Sequence, residues 1–387
     1  MKSKITHKPE IYFIILISFF IFLFFLKNFN IWEFLIAPQL PDESFYDFRC
    51  LQQWAELRDI FFAKSEIIYS SSEKIYNTRS VCALNHPRIW ILISSFLNLN
   101  NELYFMTVVY FLILAYILIF FYYIKKFKSF FLIYFFFSGS SLLLIERANN
   151  DIIIFLLLFI VTYISFKPIK YFLFFLSSCL KIYPIFGVLY FLKGKDKYKI
   201  IFILSSVIII FFVATYNDII YLVTNTPKTG DISYGSLAIS LNMLKYFDLS
   251  INQHLISFFL ILSTLVIYIN IFRKRILNEI FFYDNVFLLG STIYLLTFLI
   301  GSHFDYRLIF LFFTIPTLIN LNNNFLRYLT LTIIILSLEI FRLNYFFGFF
   351  GGIINTSAKI ILFISLACIT IDILLKKILH SLADLLL

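Results

Sequence analysis

The chain is 387 residues long, 61% hydrophobic and only 14% charged. No soluble domain of this size can bury so much apolar surface, so a water-soluble globular fold is excluded. The formal net charge of +10 does not point to nucleic acid, because the basic residues form short clusters between apolar runs, the pattern of cytoplasmic loops in a membrane protein.

The long apolar runs predict an all-α polytopic membrane protein; a β-barrel would show short alternating segments instead. The first run follows Lys2, Lys4 and Lys8 and has no small-residue cleavage site after it, so it is expected to be an uncleaved span. Basic clusters stand at Lys125, Lys126 and Lys128; at Lys167 and Lys170; at Lys193, Lys195, Lys197 and Lys199; at Arg273, Lys274 and Arg275; and at Lys376 and Lys377. Placing them all in the cytoplasm with the N-terminus predicts about twelve spans. These are 11–27, 104–124, 129–145, 151–166, 170–181, 183–192, 199–216, 252–272, 284–300, 306–320, 327–343 and 356–375, with both termini cytoplasmic and the chain in the plasma (inner) membrane. Residues 170–192 satisfy the charge pattern only as two short segments that re-enter and return, and Pro184 favours a break between them.

The whole chain, 1–387, reads as a single integral membrane domain without internal repeats. Residues 28–103 form a long, acid-rich first extracytoplasmic loop, in which 48–62 and 87–97 are expected to be helices lying along the membrane surface. Cys50 and Cys82 fall in this loop, and a disulfide between them stays open; Cys179 and Cys368 lie in apolar runs as inert packing residues. Residues 217–251, with Pro227, Gly230 and Gly235, read as a second, more flexible extracytoplasmic loop.

This topology collects the mixed polar motifs on one side. Glu146, Arg147, Asn149, Asn150 and Asp151 are wedged between two apolar runs, where lipid cannot solvate them. A structural account has Asn150 and Asp151 capping the next helix and Glu146 pairing with Arg147. It leaves an amide and a charge for a polar ligand such as a sugar. Asp47 suits a general base, although pairing with Arg49 or Arg58 as a solvated loop acid is the plainer reading of its residue type. Lys181, beside Tyr183 and Pro184, suits a lipid phosphate or simply snorkels to the surface. His303, Asp305 and Arg307 put an imidazole, a carboxylate and a guanidinium within five residues, with Arg307 able to hold a phosphate and His303 to assist it. No HExxH, CxxC or DxD pattern and no nucleotide-binding loop occurs, so neither metal nor cofactor is expected.

The stretches Tyr-Asp-Phe-Arg at 46–49, Asn-His-Pro-Arg-Ile-Trp at 85–90, Glu-Arg-Ala-Asn-Asn-Asp at 146–151 with Leu-Lys-Ile-Tyr-Pro at 180–184, and Phe-Asp-Tyr-Arg-Leu at 304–308 carry a likeness. Together they resemble the GT-C superfamily of polyprenol-phosphate-sugar-dependent glycosyltransferases, and within it the α-1,2-mannosyltransferase-like family 87. The resemblance implies a GT-C-like helical bundle and an inverting transfer on the extracytoplasmic face. The donor would be a polyprenyl-phosphate sugar, and the acceptor a glycolipid or growing surface glycan. It makes Asp47 the base, with Asp42 as the other choice of register, and gives donor phosphate binding to Lys181 or Arg307. Arg49, His86, Arg88, Glu146, Arg147, Asn149, Asn150, Asp151, Tyr183, His303 and Asp305 complete the candidate substrate site. The family pattern has Gly where Ala148 stands. Two rivals are a transporter or flippase of lipid-linked sugars and an O-antigen-type polymerase or ligase. The first expects ionisable residues at mid-membrane, the second a large outer loop late in the chain.

Overall fold

The computed structural model describes residues 45–56, 87, 89–192, 197–217, 219–220, 230, 233–272, 284–321 and 323–386. The expected first span at 11–27, together with Asp42, Arg58, Cys82, His86 and Arg88, lies outside them. The described chain is all-α apart from one two-stranded pairing. Helices Glu102–Phe127, Lys197–Ala214, Gln253–Asn270 and Phe349–Lys377 are long and apolar enough to cross a membrane.

Among the described residues, in chain order, two short helices, α1 (Tyr46–Glu56) and α2 (Ile89–Phe96), precede the long α3 (Glu102–Phe127). Asn101 caps α3 by accepting the Leu103 N–H. Lys125 and Lys126 sit in its last turn, where cations suit the helix dipole. The expected span 129–145 is two helices, α4 (Phe130–Phe136) and α5 (Gly139–Glu146), broken at Phe137 and Ser138. Next come α6 (Asp151–Tyr163) and α7 (Lys167–Leu180), the latter opening with Pro168 where its missing N–H costs nothing. The expected segment 183–192 is a 3₁₀ helix, Tyr183–Phe191, so the break before Pro184 is present.

Helix α8 (Lys197–Ala214) packs on that 3₁₀ segment and on α7. It leaves Phe202, Ile210 and Val213 exposed, a surface suited to lipid rather than water. Within the stretch expected as the loop 217–251, α9 (Ser236–Phe247) occupies the second half, and Ala238, Ile239 and Asn242 on α9 are buried. After α10 (Gln253–Ile267) a π-helical turn, Tyr268–Phe272, completes the stretch expected at 252–272. Helix α11 (Asp284–Ile300) is central, packing on both 3₁₀ segments, Tyr183–Phe191 and Asp305–Thr314. Gly290 lets α11 approach that second segment, since a Cβ there would stand 2.6 Å from the Phe310 carbonyl oxygen. The chain ends with α12 (Ile315–Ile319), α13 (Asn324–Leu338), α14 (Ile340–Phe347) and α15 (Phe349–Leu386). The expected span 327–343 is therefore also broken, at Glu339.

The core is aromatic. Phe120, Phe135, Phe155 and Phe312 are buried, with ring centroids 4.7 Å apart for Phe120 and Phe312 and 5.3 Å for Phe155 and Phe312. The strand pairing joins β1 (Ser233–Tyr234) to β2 (His303–Phe304), antiparallel, with Ser233 opposite Phe304 and Tyr234 opposite His303. Gly235 makes this possible. Its φ of +116° is disfavoured for other residues, and a Cβ there would lie 2.0 Å from the Gly301 oxygen.

Candidate functional site

Helix α5 stops in a paired turn that creates the site's central segment. The Asn149 N–H reaches the Leu144 carbonyl at 3.2 Å, the Ala148 N–H reaches that of Ile145 at 3.0 Å, and Ala148 takes a left-handed φ of +43°. The turn swings Asn149 into the start of α6, where its Oδ1 accepts the Asp151 N–H at 2.9 Å. This corrects the expected cap: Asn149 supplies it, and Asn150 makes no side-chain cap bond.

Helix α1 docks on the same turn, with the Phe45 N–H donating to the Glu146 carbonyl at 2.9 Å. That contact sets Asp47 against Arg147. Arg147 donates from Nε to Oδ2 at 2.8 Å and from Nη2 to Oδ1 at 2.5 Å, while Asn149 Nδ2 donates to Oδ2 at 2.5 Å. Burial opposes the charge on Arg147, yet Asp47 holds its pKa above the ordinary value. The expected partner Arg49 is elsewhere, in an ion pair with Glu102 at 3.1 Å. The expected Glu146–Arg147 pair gives way to Asp47–Arg147, with the Glu146 charge still acting on Arg147.

Behind Asp47 lies the fully buried Asp151. Lys181 Nζ contacts its Oδ1, Tyr183 donates to Oδ1 at 2.9 Å, and Arg307 Nε lies 3.4 Å from Oδ2. Lys181 also donates to Asn149 Oδ1 at 3.4 Å, so that one amide links the Asp47 carboxylate to the lysine that pairs with Asp151. Lys181 is placed by the break after α7, where the Trp90 indole N–H pins the Leu180 carbonyl at 2.9 Å. The Arg307 guanidinium lies over the Tyr183 ring, 5.3 Å from its centroid, and donates from Nη1 to His303 Nδ1 at 2.5 Å. Burial, then the neighbouring Arg307 charge, push the imidazole down to about 3, so His303 is neutral and accepts at Nδ1.

Asp305 departs from expectation. It turns away from His303 and Arg307 to pair with Lys359 of α15, at 2.7 Å to Oδ1 and 2.8 Å to Oδ2. Lys359, unforeseen from the sequence, also donates to the Ser233 carbonyl at 3.1 Å and so ties α15 to the strand pair that carries His303. Its signal in the sequence is a cation placed inside the expected span 356–375.

The structure thus joins Asp47, Arg147, Asn149, Asp151, Lys181, Tyr183, His303 and Arg307 in one network and leaves Arg49 and Asp305 outside it. Oδ2 of Asp47 is doubly occupied, whereas Oδ1 accepts one bond and keeps a lone pair. Arg307 Nη2 has no partner among the described residues. The network therefore offers one basic oxygen and one spare cationic donor. Among the described residues no group of three or more His, Cys, Asp or Glu side chains is placed to hold a metal. Cys50, on α1, is disulfide-bonded, whereas Cys179 and Cys368 are free and buried. Comparison of the chain with protein-family models, curated proteins and solved structures gives no match in any of the three.

Proposed function

We propose that the chain is a multi-pass membrane glycosyltransferase that moves a sugar from a polyprenyl-phosphate donor to a glycolipid or surface-glycan acceptor. The observation that carries this reading is the single network that ties Asp47 to Lys181 and Arg307 through Asn149 and Asp151. A carboxylate with a spare lone pair suits the acceptor hydroxyl, and neighbouring cations suit a departing phosphate.

In this scheme Asp47 Oδ1 takes the acceptor's hydroxyl proton as its oxygen attacks the anomeric carbon. The new carbon–oxygen bond forms on the face opposite the breaking bond to phosphate, which inverts the centre. Polyprenyl phosphate leaves with the electron pair, and Arg307 and Lys181 balance its charge. Arg147 and Asn149 hold the carboxylate in place. The Cys50 disulfide favours an oxidising compartment for this side, in keeping with an extracytoplasmic site beside the lipid-borne donor.

The transporter reading has one observation in its favour. Lys359 and Asp305 are both buried, and Lys359 lies well inside a helix long enough to span. Purified protein in nanodiscs, supplied with a panel of polyprenyl-phosphate sugars and acceptor glycolipids and read by mass spectrometry, separates the two. Transfer yields a heavier acceptor and free polyprenyl phosphate. A panel that returns every donor intact contradicts the transferase.

A further inference from the structure

Asn149 and Asp151 commit their side chains to the network, but Asn150 between them does not. Its side chain is 1% exposed, and neither Nδ2 nor Oδ1 has a hydrogen-bond partner. Its neighbours one and two turns along α6, Ile154 and Leu158, are fully buried. Packing alone would be served by an apolar side chain there, and burying an amide without partners is unfavourable. The amide makes no cap bond either, since Asn149 performs that role. What remains is a fixed acceptor and a fixed pair of donors, one residue from the amide that holds Asp47.

We infer that Asn150 reads the sugar of the donor. Its Oδ1 accepts a proton from one hydroxyl and its Nδ2 donates to the oxygen of the adjacent hydroxyl, so the ligand class is a headgroup with a vicinal diol. This rests on the donor reading above and assigns to one side chain a task separate from phosphate binding. A site that hydrogen-bonds a hydroxyl discriminates against a ligand that lacks it, whereas charge neutralisation does not.

The test uses full-length protein in nanodiscs and measures affinity for polyprenyl phosphate and for its mannosyl and glucosyl esters. Wild type is expected to bind a sugar ester more tightly than the bare phosphate. N150L is expected to lose about tenfold or more for that ester. Its affinity for the bare phosphate should not change, and its thermal midpoint should be equal or higher. N150A carries the same expectation and replaces N150L should the latter not fold. Equal losses for ester and bare phosphate, or an intact sugar preference, overturn the inference while leaving the donor reading standing. Wild-type protein that binds neither lipid removes the donor reading itself, and the role of Asn150 with it.

Discussion

Two buried polar clusters interrupt the apolar helices, and they are built differently. In the first, around Asp47 and Asp151, functional groups are left over: a lone pair on Asp47, a donor on Arg307, the whole amide of Asn150. In the second, at the breaks between α4 and α5 and between α13 and α14, the groups repair backbone. Glu339 accepts from the Gly139 N–H at 3.4 Å, and Arg342 donates to Glu339 at 3.0 Å and to the Phe137 carbonyl at 2.7 Å. Ser140 donates to the Leu338 carbonyl at 3.1 Å, and Asn355 to that of Leu336 at 2.7 Å. Broken helices expose main-chain groups that must find partners away from water, and here each break supplies them to the other. Polarity in an apolar bundle is thus not itself a sign of chemistry; even the spare acceptor in the second cluster, Asn355 Oδ1, belongs to an amide whose Nδ2 is spent on backbone.

Variants can break or sharpen this contrast. The largest stability effect belongs to Lys181→Met, which leaves the buried Asp151 with Arg307 as its remaining cation and the Tyr183 hydroxyl as its donor. A loss of about 3 kcal/mol or more is expected, seen as a lower thermal midpoint, and donor affinity should fall with it. Arg342→Met in the second cluster should cost about 2 kcal/mol, because Arg342 is partly exposed, and adding Glu339→Gln should recover part of that. Transfer per folded molecule should stay at the wild-type rate in both, measured as turnover normalised to folded protein. A clear loss of turnover in either variant would erase the distinction.

The next effect depends on pH. The unfolded imidazole of His303 binds a proton near pH 6.5 and the folded one only near 3, so folding favours the neutral form. Stability from this group is complete above pH 6.5 and falls by about 1.4 kcal/mol per pH unit as the pH drops through that window. Thermal midpoints measured against pH should therefore flatten in His303→Gln. The smallest effect is a gain: Ala148→Gly relieves a left-handed alanine and should add about 0.5–1 kcal/mol, read from the same melts.

Much of the helical layout was legible because apolar runs and basic clusters repeat along the chain. Most residues of the network were legible too, since they interrupt apolar runs, whereas Asp47 sits in the acid-rich first loop among other acids. Their pairing was not. Asp47 stands two residues from Arg49 yet bonds Arg147 a hundred positions on, a choice made by the docking of Phe45 on the end of α5. Asp305 looked like a partner of Arg307, but the 3₁₀ turn directs it to Lys359. The same limit hid the second cluster, for Arg342 and Phe137 meet only across the fold. Helix α9 was missed because Pro227, Gly230 and Gly235 mark a loop, and the helix begins just after the last of them.

The central claim is that Asp47 supplies the base of the first cluster. It is tested most directly by wild type and Asp47→Asn side by side, with sugar transfer and donor affinity measured on the same preparations. The asparagine keeps the size of the side chain and an oxygen for Arg147. Turnover is expected to fall by about 10²–10⁴-fold while donor affinity stays close to wild type. Turnover at the wild-type rate in Asp47→Asn would contradict the account.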